Sequence, residues 1–425
     1  MIEELLDSAF GSVASLWWFI LPVAAAAIFR EWWLVDITRE YISRIEWILL
    51  EIKVPRENLK SAKAMEYVFA SIYGTHSGGI KRKDRYFKGK VEDWMSFEIV
   101  GEASGVHFYV RLPASYRKLF ETAFFSQYPE AEIEVVPDYV NKLPQILPNE
   151  KYDIFGTDFV LAKEDAYPIK TYPSFEANLE EEMIDPIAAI VESVANLKAD
   201  EMLLLQLLAR PAGDDWVKKG KEEVDKLSGR KKEEKKNRVG SISEFLKNFI
   251  AAPVKVPEWG ASKEEKTEAP RFTPGQQDAL KAVENKLSKL GFEAILRVIY
   301  IDNRDAFTSD NVSAAFGAIR QFSTHNLNAL KPNFKTMTAA TLVGIIFRKE
   351  RLEKRKRFLY WHYLHRDMPQ PVPIRFGLQL KTAVLSVEEL ATVYHLPTTA
   401  VTPARVRALE ARKGEAPINL PVIEE

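Results

Sequence analysis

The sequence predicts an α+β protein with an N-terminal transmembrane helix followed by two ferredoxin-like (βαββαβ-type) modules. Three observations support this fold class: an uncharged apolar stretch near the N-terminus, two series of alternating strands and amphipathic helices, and a charged segment that interrupts the second series. The chain has 425 residues, 28% of them charged, and a net charge of -1. This balance excludes a basic protein that coats nucleic acid and an acidic disordered protein. The absence of cysteine excludes disulfides and thiolate nucleophiles.

Residues 1–46 are predicted to form a membrane anchor followed by a juxtamembrane amphipathic helix. For residues 30–46 an ordinary helix that packs on the first domain is an equal alternative. Residues 13–29 (VASLWWFILPVAAAAIF) contain no charge, and at a rise of ~1.5 Å per residue they approach the minimum length that crosses a bilayer. One tryptophan pair lies early in this stretch and another lies just past its end; the second pair suits an interfacial aromatic belt, and proline is tolerated in membrane helices. The predicted anchor residues are Trp17, Trp18, Pro22, Trp32 and Trp33.

The charges around this segment predict its orientation. Arg30, Arg39 and Arg44 follow it and no basic residue precedes it, so the positive-inside rule places the bulk of the protein in the cytoplasm. The prediction is therefore a single-pass protein of the cytoplasmic (inner) membrane. A signal peptide is a weaker alternative because acidic residues occupy the expected basic region. A buried core helix is the other alternative.

Residues 47–143 are predicted to form the first ferredoxin-like module. Alternating or β-rich runs occur at 47–55, 94–101, 106–113 and 130–139, and helical spacing occurs at 56–74 and 114–129. The resulting order, β-α-β-β-α-β, is that of the split βαβ motif. The polar residues 75–93 between the first helix and the second strand are predicted to be a basic loop.

A second α+β module is predicted in two parts, at residues 144–227 and 273–395. Strand-like runs within it include 153–172, 200–213 and 293–303, with helices at 183–197, 273–292 and 309–324. Residues 228–272 are rich in Lys and Glu and are predicted to be a flexible, disordered insertion.

The second part contains a dense basic run on a predicted helix, next to several aromatic residues. Such a run suits contact with nucleic-acid phosphates or anionic lipid headgroups, although a solvated helix face is the alternative. The candidate contact residues are Arg348, Lys349, Arg351, Lys354, Arg355, Lys356 and Arg357.

Residues 396–425 are predicted to be a proline-containing C-terminal tether. A short helix with a capping box of Ser386 and Glu389 precedes it, and prolines stop that helix and keep the following chain extended. The residues predicted to form the part of the tether that attaches an ATPase are His395, Leu396, Pro397 and Pro403.

No motif in the chain predicts catalysis. A phosphate-binding loop, a dinucleotide fingerprint and a nucleophile elbow are all absent from the sequence. His362 and His365 are three residues apart on a predicted helix, but no acidic partner completes a metal-binding set. The sequence therefore predicts a protein that is not an enzyme and that holds no cofactor or metal.

Long segments resemble the N-terminal, non-motor region of the FtsK/HerA-class ATPases of conjugation and type IV secretion. They include LEIKVPRENLKSAKAMEYVFASIYG (50–74), the stretch 94–139, FKTMTAATLVG (334–344), LSVEELATVYHLPT (385–398) and TPARVRALEARKGEAPINLP (402–421). In that family a motor domain with Walker motifs follows the HLP segment. The motor is absent from this sequence, so the resemblance implies no catalytic residues here, and it implies a separate ATPase partner.

Together these features predict a prokaryotic, membrane-anchored, non-catalytic accessory subunit of a type IV secretion or conjugation-like DNA-transfer apparatus. It would recruit or position a separate FtsK/HerA-type ATPase at the cytoplasmic face of the membrane. The alternative is a membrane-associated nucleic-acid-binding protein that acts through its basic patches at 81–90 and 348–357 without a motor. Both hypotheses are compatible with a homo-oligomer.

Overall fold

Helices and strands alternate through most of the chain. The computed structural model describes residues 17–53, 58–176, 185–195, 197–228, 272–308, 310–342, 347–370 and 380–398. The strands are β1 (Trp47–Lys53), β2 (Met95–Glu102), β3 (Gly105–Pro113), β4 (Glu132–Val136), β5 (Tyr152–Leu161), β6 (Met202–Pro211), β7 (Gly291–Asn303), β8 (Leu330–Pro332) and β9 (Ala383–Ser386). The helices are α1 (Trp17–Ser43), α2 (Ala62–Ile72), α3 (Arg82–Lys88), α4 (Arg117–Gln127), α5 (Pro173–Glu176), α6 (Ala188–Ala195), α7 (Asp215–Leu227), α8 (Pro274–Leu287), α9 (Asp310–Arg320), α10 (Arg348–His365) and α11 (Val387–Val393).

The strands of the described residues form one nine-stranded sheet in which all paired neighbours are antiparallel. Its order is β4-β1-β3-β2-β6-β7-β5-β8, and β9 pairs with the N-terminal end of β7. This arrangement confirms the α+β class that the sequence predicts.

The sheet has two halves with the same strand order. In the first half β1, α2, β2, β3, α4 and β4 follow one another, with α3 inserted after α2, and the strands lie in the order β4-β1-β3-β2. In the second half β5, α6, β6, β7, α9 and β8 take the equivalent places, and the strands lie in the order β8-β5-β7-β6. The halves join where β2 pairs with β6, from Met95 opposite Ala209 to Gly101 opposite Leu203.

Both faces of the sheet are covered. One face packs against α2, α4, α6, α9 and α11, which contribute Phe69, Phe124 and Leu390 among others to the larger core. The opposite face packs against α10 and the segment 139–147, through side chains such as Leu359 and Leu147. The alternating side chains of the central strands are therefore buried on both sides.

The predicted insertion at 228–272 falls between β6 and β7, flanked by α7 and α8. Residues 229–271 lie outside the described residues, so the predicted disorder of this segment remains a prediction. Residues 399–425 of the predicted tether, which include Pro403, also lie outside them.

The predicted transmembrane helix is not supported. Within the described ranges, which begin at Trp17, no helix is both long enough and apolar enough to cross a membrane. Helix α1 is 27 residues long, but charged residues from Arg30 onward interrupt its apolar run. Residues 13–16 of the predicted span lie outside the described part of the chain.

Candidate functional site

The N-terminal half of α1 exposes a large apolar surface. Trp18, Phe19, Ile28 and Phe29 are each 60–66% exposed, and Pro22 is exposed as well. The described side chains from Trp18 to Arg30 are all exposed except that of Ala27, which is half-buried. A helix that is apolar all round is normally covered by protein or lipid. The described residues cover very little of this segment.

The second half of α1 packs on the body of the protein. Leu34 and Ile37 are buried, and Trp33 Nε1 donates to the carbonyl oxygen of Tyr86 in α3 over 3.0 Å. Gly89, which ends α3, has a φ of +62°, and a Cβ at this position would lie 2.2 Å from the carbonyl oxygen of Ile37. Only glycine allows this close approach. The apolar segment therefore leaves the body in a fixed direction.

The predicted anchor residues differ in their positions. Trp32 is 62% exposed and Trp33 is 41% exposed, and both rings approach Phe29 with centroids 6.2 and 6.4 Å away. Trp17 begins α1, and its side chain lies outside the described part. The exposed tryptophans thus lie where the apolar segment meets the packed half of the helix. An interfacial aromatic belt has this position.

The basic run predicted to contact phosphates or headgroups lies at the start of α10. Arg348, Lys349, Arg351, Lys354 and Arg357 are exposed. Arg355 instead donates to the carbonyl oxygens of Phe334 and Met337 over 3.1 Å, and Lys356 pairs with Asp153 over 2.6 Å. These two side chains fasten α10 to the body. Of the five exposed cations, Arg348 donates to the carbonyl oxygen of Ala340 over 2.9 Å and Arg357 pairs with Glu353. Lys349, Arg351 and Lys354 are the more available to a ligand.

The aromatic residues of α10 are likewise partly buried and partly exposed. Tyr360 and Tyr363 are buried against the sheet, whereas Trp361 is 50% exposed and stacks on His365 with centroids 4.2 Å apart. His365 Nδ1 also lies 2.8 Å from the carbonyl oxygen of Trp361. His362, which with His365 formed the candidate metal pair, faces Asp367. Among the described residues no cluster of three or more His, Asp and Glu side chains could hold a metal.

The first residues of the predicted tether are part of the core. His395, Leu396, Pro397 and Thr398 are all buried. Asn58 Nδ2 donates to the carbonyl oxygen of Pro397 over 2.8 Å. This position differs from the predicted exposed tether because polar partners far away in the sequence bind the backbone and side chains of this segment.

Asp185 is the main polar partner of this segment. Its carboxylate accepts from His395 Nε2 over 2.8 Å and from the backbone nitrogen and hydroxyl of Thr398 over 2.8 and 3.0 Å. Burial raises the pKa of Asp185, but hydrogen bonds from His395, Thr398 and Ile187 outweigh it and hold the pKa below its ordinary value. His395 Nδ1 faces the carbonyl oxygen of Ala391 at 2.8 Å, so both ring nitrogens face acceptors.

A buried polar row, which the sequence reasoning missed, crosses the junction between the halves. Glu98, Gln206, Arg297 and Asp158 are opposite one another on β2, β6, β7 and β5, and each is fully buried. Arg297 donates to Asp158 over 2.7 Å and to Gln206 over 3.0 Å, and Gln206 donates to Glu98 over 3.2 Å. The available signal was a single polar residue in the middle of the apolar runs of β6 and β7, LLLQLL (203–208) and AILRVI (294–299).

Arg366 connects this row to the covering layer. Its guanidinium donates to both oxygens of Glu98 and to both oxygens of Asp138, at 2.7–3.0 Å. Burial raises the pKa of Glu98, but the charge and hydrogen bonds of Arg366 outweigh it and lower the pKa below its ordinary value. Tyr139 donates to Glu98 over 2.6 Å, and burial together with that carboxylate raises the pKa of Tyr139. This network joins the two halves of the sheet to α10.

One further group of side chains has the residue types of a serine–histidine–carboxylate catalytic triad. His107 Nδ1 lies 2.8 Å from Glu51 Oε1, and its Nε2 lies 3.5 Å from the hydroxyl of Ser104. The hydroxyl also lies 3.4 Å from Glu102, so it is shared between two weak partners. A serine nucleophile normally approaches its base within ~3.2 Å. The arrangement does not favour nucleophilic catalysis, and the prediction that the chain is not an enzyme stays a prediction.

Comparison with protein families identifies the family of this chain. No curated protein matches the sequence. A family model described as a domain of unknown function, DUF8128, matches residues 40–407 of the 425. This match spans the β-sheet, the buried polar row and both ends of α10. The chain therefore belongs to the DUF8128 family.

Proposed function

We propose that the protein is a membrane-associated, non-catalytic accessory subunit of a type IV secretion or conjugation-like transfer apparatus. In this role it positions a separate FtsK/HerA-type ATPase at the cytoplasmic face of the membrane. The observation that carries the proposal is the exposed apolar segment of α1, held in a fixed direction by its packed half. The sequence resemblance supplies the kind of apparatus and the kind of partner.

Membrane association explains why this segment of α1 exposes so many large apolar side chains. Burying one large apolar side chain is worth about 1.5–3 kcal/mol, and Trp18, Phe19, Ile28 and Phe29 are all mostly exposed to solvent. An exposed apolar surface of this kind is typical of a contact with lipid or with another protein. The adjacent tryptophans and the basic residues that follow favour lipid, with the body on the cytoplasmic side.

We also propose that each half of the sheet is a ferredoxin-like module. The order β-α-β-β-α-β and the shared strand order of the two halves support this assignment. The two modules then form a rigid platform between the apolar helix and the C-terminal segment. In the proposal, residues 399–425, including Pro403, lead from Thr398 toward the ATPase.

Isolation of the tagged full chain from membranes of the cells that produce it tests this function. We expect an ATPase with FtsK/HerA-type Walker motifs to co-purify with the wild-type chain. The double variant Ile28→Asn/Phe29→Asn, which replaces exposed residues only, should lose the membrane fraction and recover at least tenfold less of the ATPase from it. Membrane isolates that contain no such ATPase would refute the proposed partner.

The exposed cations of α10 favour a second candidate function, nucleic-acid binding. Lys349, Arg351 and Lys354 are exposed on one helix, and phosphate contacts of this kind weaken steeply with salt. In this case the full chain binds duplex DNA at low salt, and Arg351→Glu/Lys354→Glu reduces both the affinity and its salt dependence. An absence of binding at low salt would remove this candidate.

A further inference from the structure

Helix α3 and its flanks combine positive charge with exposed aromatic side chains. Residues 81–90 (KRKDRYFKGK) contain six Lys or Arg residues and one acidic residue. Lys81, Arg82 and Lys83 are exposed, and Lys88 pairs with Asp84 while remaining 71% exposed. The sequence pattern predicted only a basic loop here. The structure shows a short helix that presents these cations to solvent.

The same helix presents two aromatic rings. Phe87 is 76% exposed, and Tyr86 is 37% exposed. Phe87 is thus among the most exposed large apolar side chains described. It lies beside Ile37 and Tyr41 of α1, and beside Ile45 just after that helix, around a cavity of about 470 Å³. A cationic helix with exposed aromatic residues is typical of a segment that lies in the interface of a bilayer.

The position of α3 relative to α1 is fixed. Trp33 Nε1 donates to the carbonyl oxygen of Tyr86, and Gly89 touches the backbone at Ile37. These contacts place α3 beside the packed half of α1, next to Trp33 and Ile37 and just beyond the exposed apolar segment. A bilayer that receives the apolar segment would therefore bring its headgroups close to α3.

We propose that α3 and its flanking lysines form a second membrane contact, which binds the anionic phospholipid surface. This inference rests on the proposed membrane association of α1. Phe87 and Tyr86 enter the interfacial region, while Lys81, Arg82 and Lys83 face the phosphates. Anionic headgroups attract such clusters of basic residues, and the attraction falls off within a Debye length.

Continuity with the apolar segment favours lipid over nucleic acid as the occupant. The exposed cations of α10 lack a comparable neighbour among the exposed apolar residues of α1, whereas α3 is hydrogen-bonded to α1 directly. A phenylalanine that is 76% exposed also gains more from an acyl-chain boundary than from a hydrated phosphate backbone. The surface of α3 thus combines cations that match anionic headgroups with an apolar ring that matches the acyl-chain boundary.

Single-cysteine fluorescence tests the proposal, because the natural chain contains no cysteine. Phe87→Cys, Ile28→Cys and Leu59→Cys are each labelled with an environment-sensitive fluorophore in the full chain. The labelled proteins are mixed with vesicles of phosphatidylcholine, with or without phosphatidylglycerol, that carry a nitroxide-labelled lipid as quencher. Leu59 is the matched control, since it is 77% exposed but precedes α2 rather than adjoining α1.

We expect the emission at position 87 to shift to the blue and to be quenched, more strongly when phosphatidylglycerol is present. The probe at position 59 should change little. Lys81→Glu/Arg82→Glu/Lys83→Glu should abolish the dependence on phosphatidylglycerol at position 87. The equivalent charge reversal on α10, Lys349→Glu/Arg351→Glu/Lys354→Glu, should retain it.

The outcomes separate the two proposals. Quenching at position 28 without quenching at position 87 overturns the contact of α3 and leaves the membrane association of α1 intact. An absence of quenching at position 28 overturns both. Equal quenching at positions 59 and 87, or a shift at position 87 caused by duplex DNA in the absence of vesicles, also overturns the contact of α3.

Discussion

Replacing Arg366 with Met should destabilise the protein by about 3–5 kcal/mol, because it leaves the fully buried carboxylate of Glu98 without its cation. Arg366 is 1% exposed and holds Glu98 and Asp138 through four hydrogen bonds. The measurement is the free energy of unfolding from urea denaturation followed by circular dichroism. Arg357→Met is the matched control, since its exposed pair with Glu353 should contribute no more than about 1 kcal/mol.

The pH dependence should change in the same variant. In the wild type the pKa of Glu98 lies below its ordinary value. Its contribution to stability is therefore fully present above the ordinary pKa and is lost as the pH falls through the lowered pKa of the folded state. Without Arg366, burial remains and raises the pKa, so the variant should instead lose stability as the pH rises. Glu98→Gln in the Arg366→Met background should then restore part of the stability. Exposed ion pairs contribute no more than about 1 kcal/mol. A free energy of unfolding of Arg366→Met that lies within about 1 kcal/mol of the wild-type value would therefore contradict this account of the network.

A chain that ends at Val393 should be far less stable than a chain that ends at Thr398. The five residues that differ are buried, with Tyr394 and Leu396 at 0% exposure, and they supply hydrogen bonds to Asp185 and Asn58. Removing one such large side chain costs about 2–5 kcal/mol, and a domain has only about 5–15 kcal/mol of stability in total. We therefore expect the shorter chain to be largely unfolded by circular dichroism and sensitive to limited proteolysis.

The single substitution Leu396→Ala provides a version of this experiment in a full-length chain. It should lower the free energy of unfolding by about 2–5 kcal/mol, while Leu59→Ala at an exposed position should change it little. Equal stability of the chains ending at 393 and 398 would mean that the segment is a free tether, as its proline pattern indicated.

Local sequence patterns were sufficient for most of the regular structure. Alternation in 94–101 and 106–113 predicts β2 and β3, and the capping box at Ser386 predicts the start of α11. The α+β class and the antiparallel pairing follow from such patterns. The junction of the halves through β2 and β6 is a contact between distant segments, for which the sequence gives no local signal.

The misread tether has a physical explanation. The segment HLPT (395–398) contains a helix-stopping proline and small polar side chains, which are typical of exposed connections. Its burial depends on Asp185 and Asn58, which lie more than 200 residues away in the sequence. The partners of Arg366 are equally distant, and those within the polar row lie 91 to 139 residues apart, so charge patterns alone could not identify them.

The candidate surfaces were partly predictable. The apolar character of α1 and the basic character of α10 are visible in the sequence, and five of the seven predicted cations of α10 are exposed. Arg355 and Lys356 instead bind α10 to the body of the protein, and these contacts arise only in the tertiary structure. The position of α3 beside α1 depends on one indole hydrogen bond and one glycine, and neither residue has a recognisable motif around it.

The most direct test of the central claim is the fraction of the full chain that sediments with membranes of the cells that produce it after a wash at neutral pH and physiological salt. The account predicts that most of the wild-type chain stays with the membranes and that Ile28→Asn/Phe29→Asn moves to the soluble fraction with its folded body unchanged. A wild-type chain found in the soluble fraction, or a double variant that stays with the membranes as the wild type does, would contradict it.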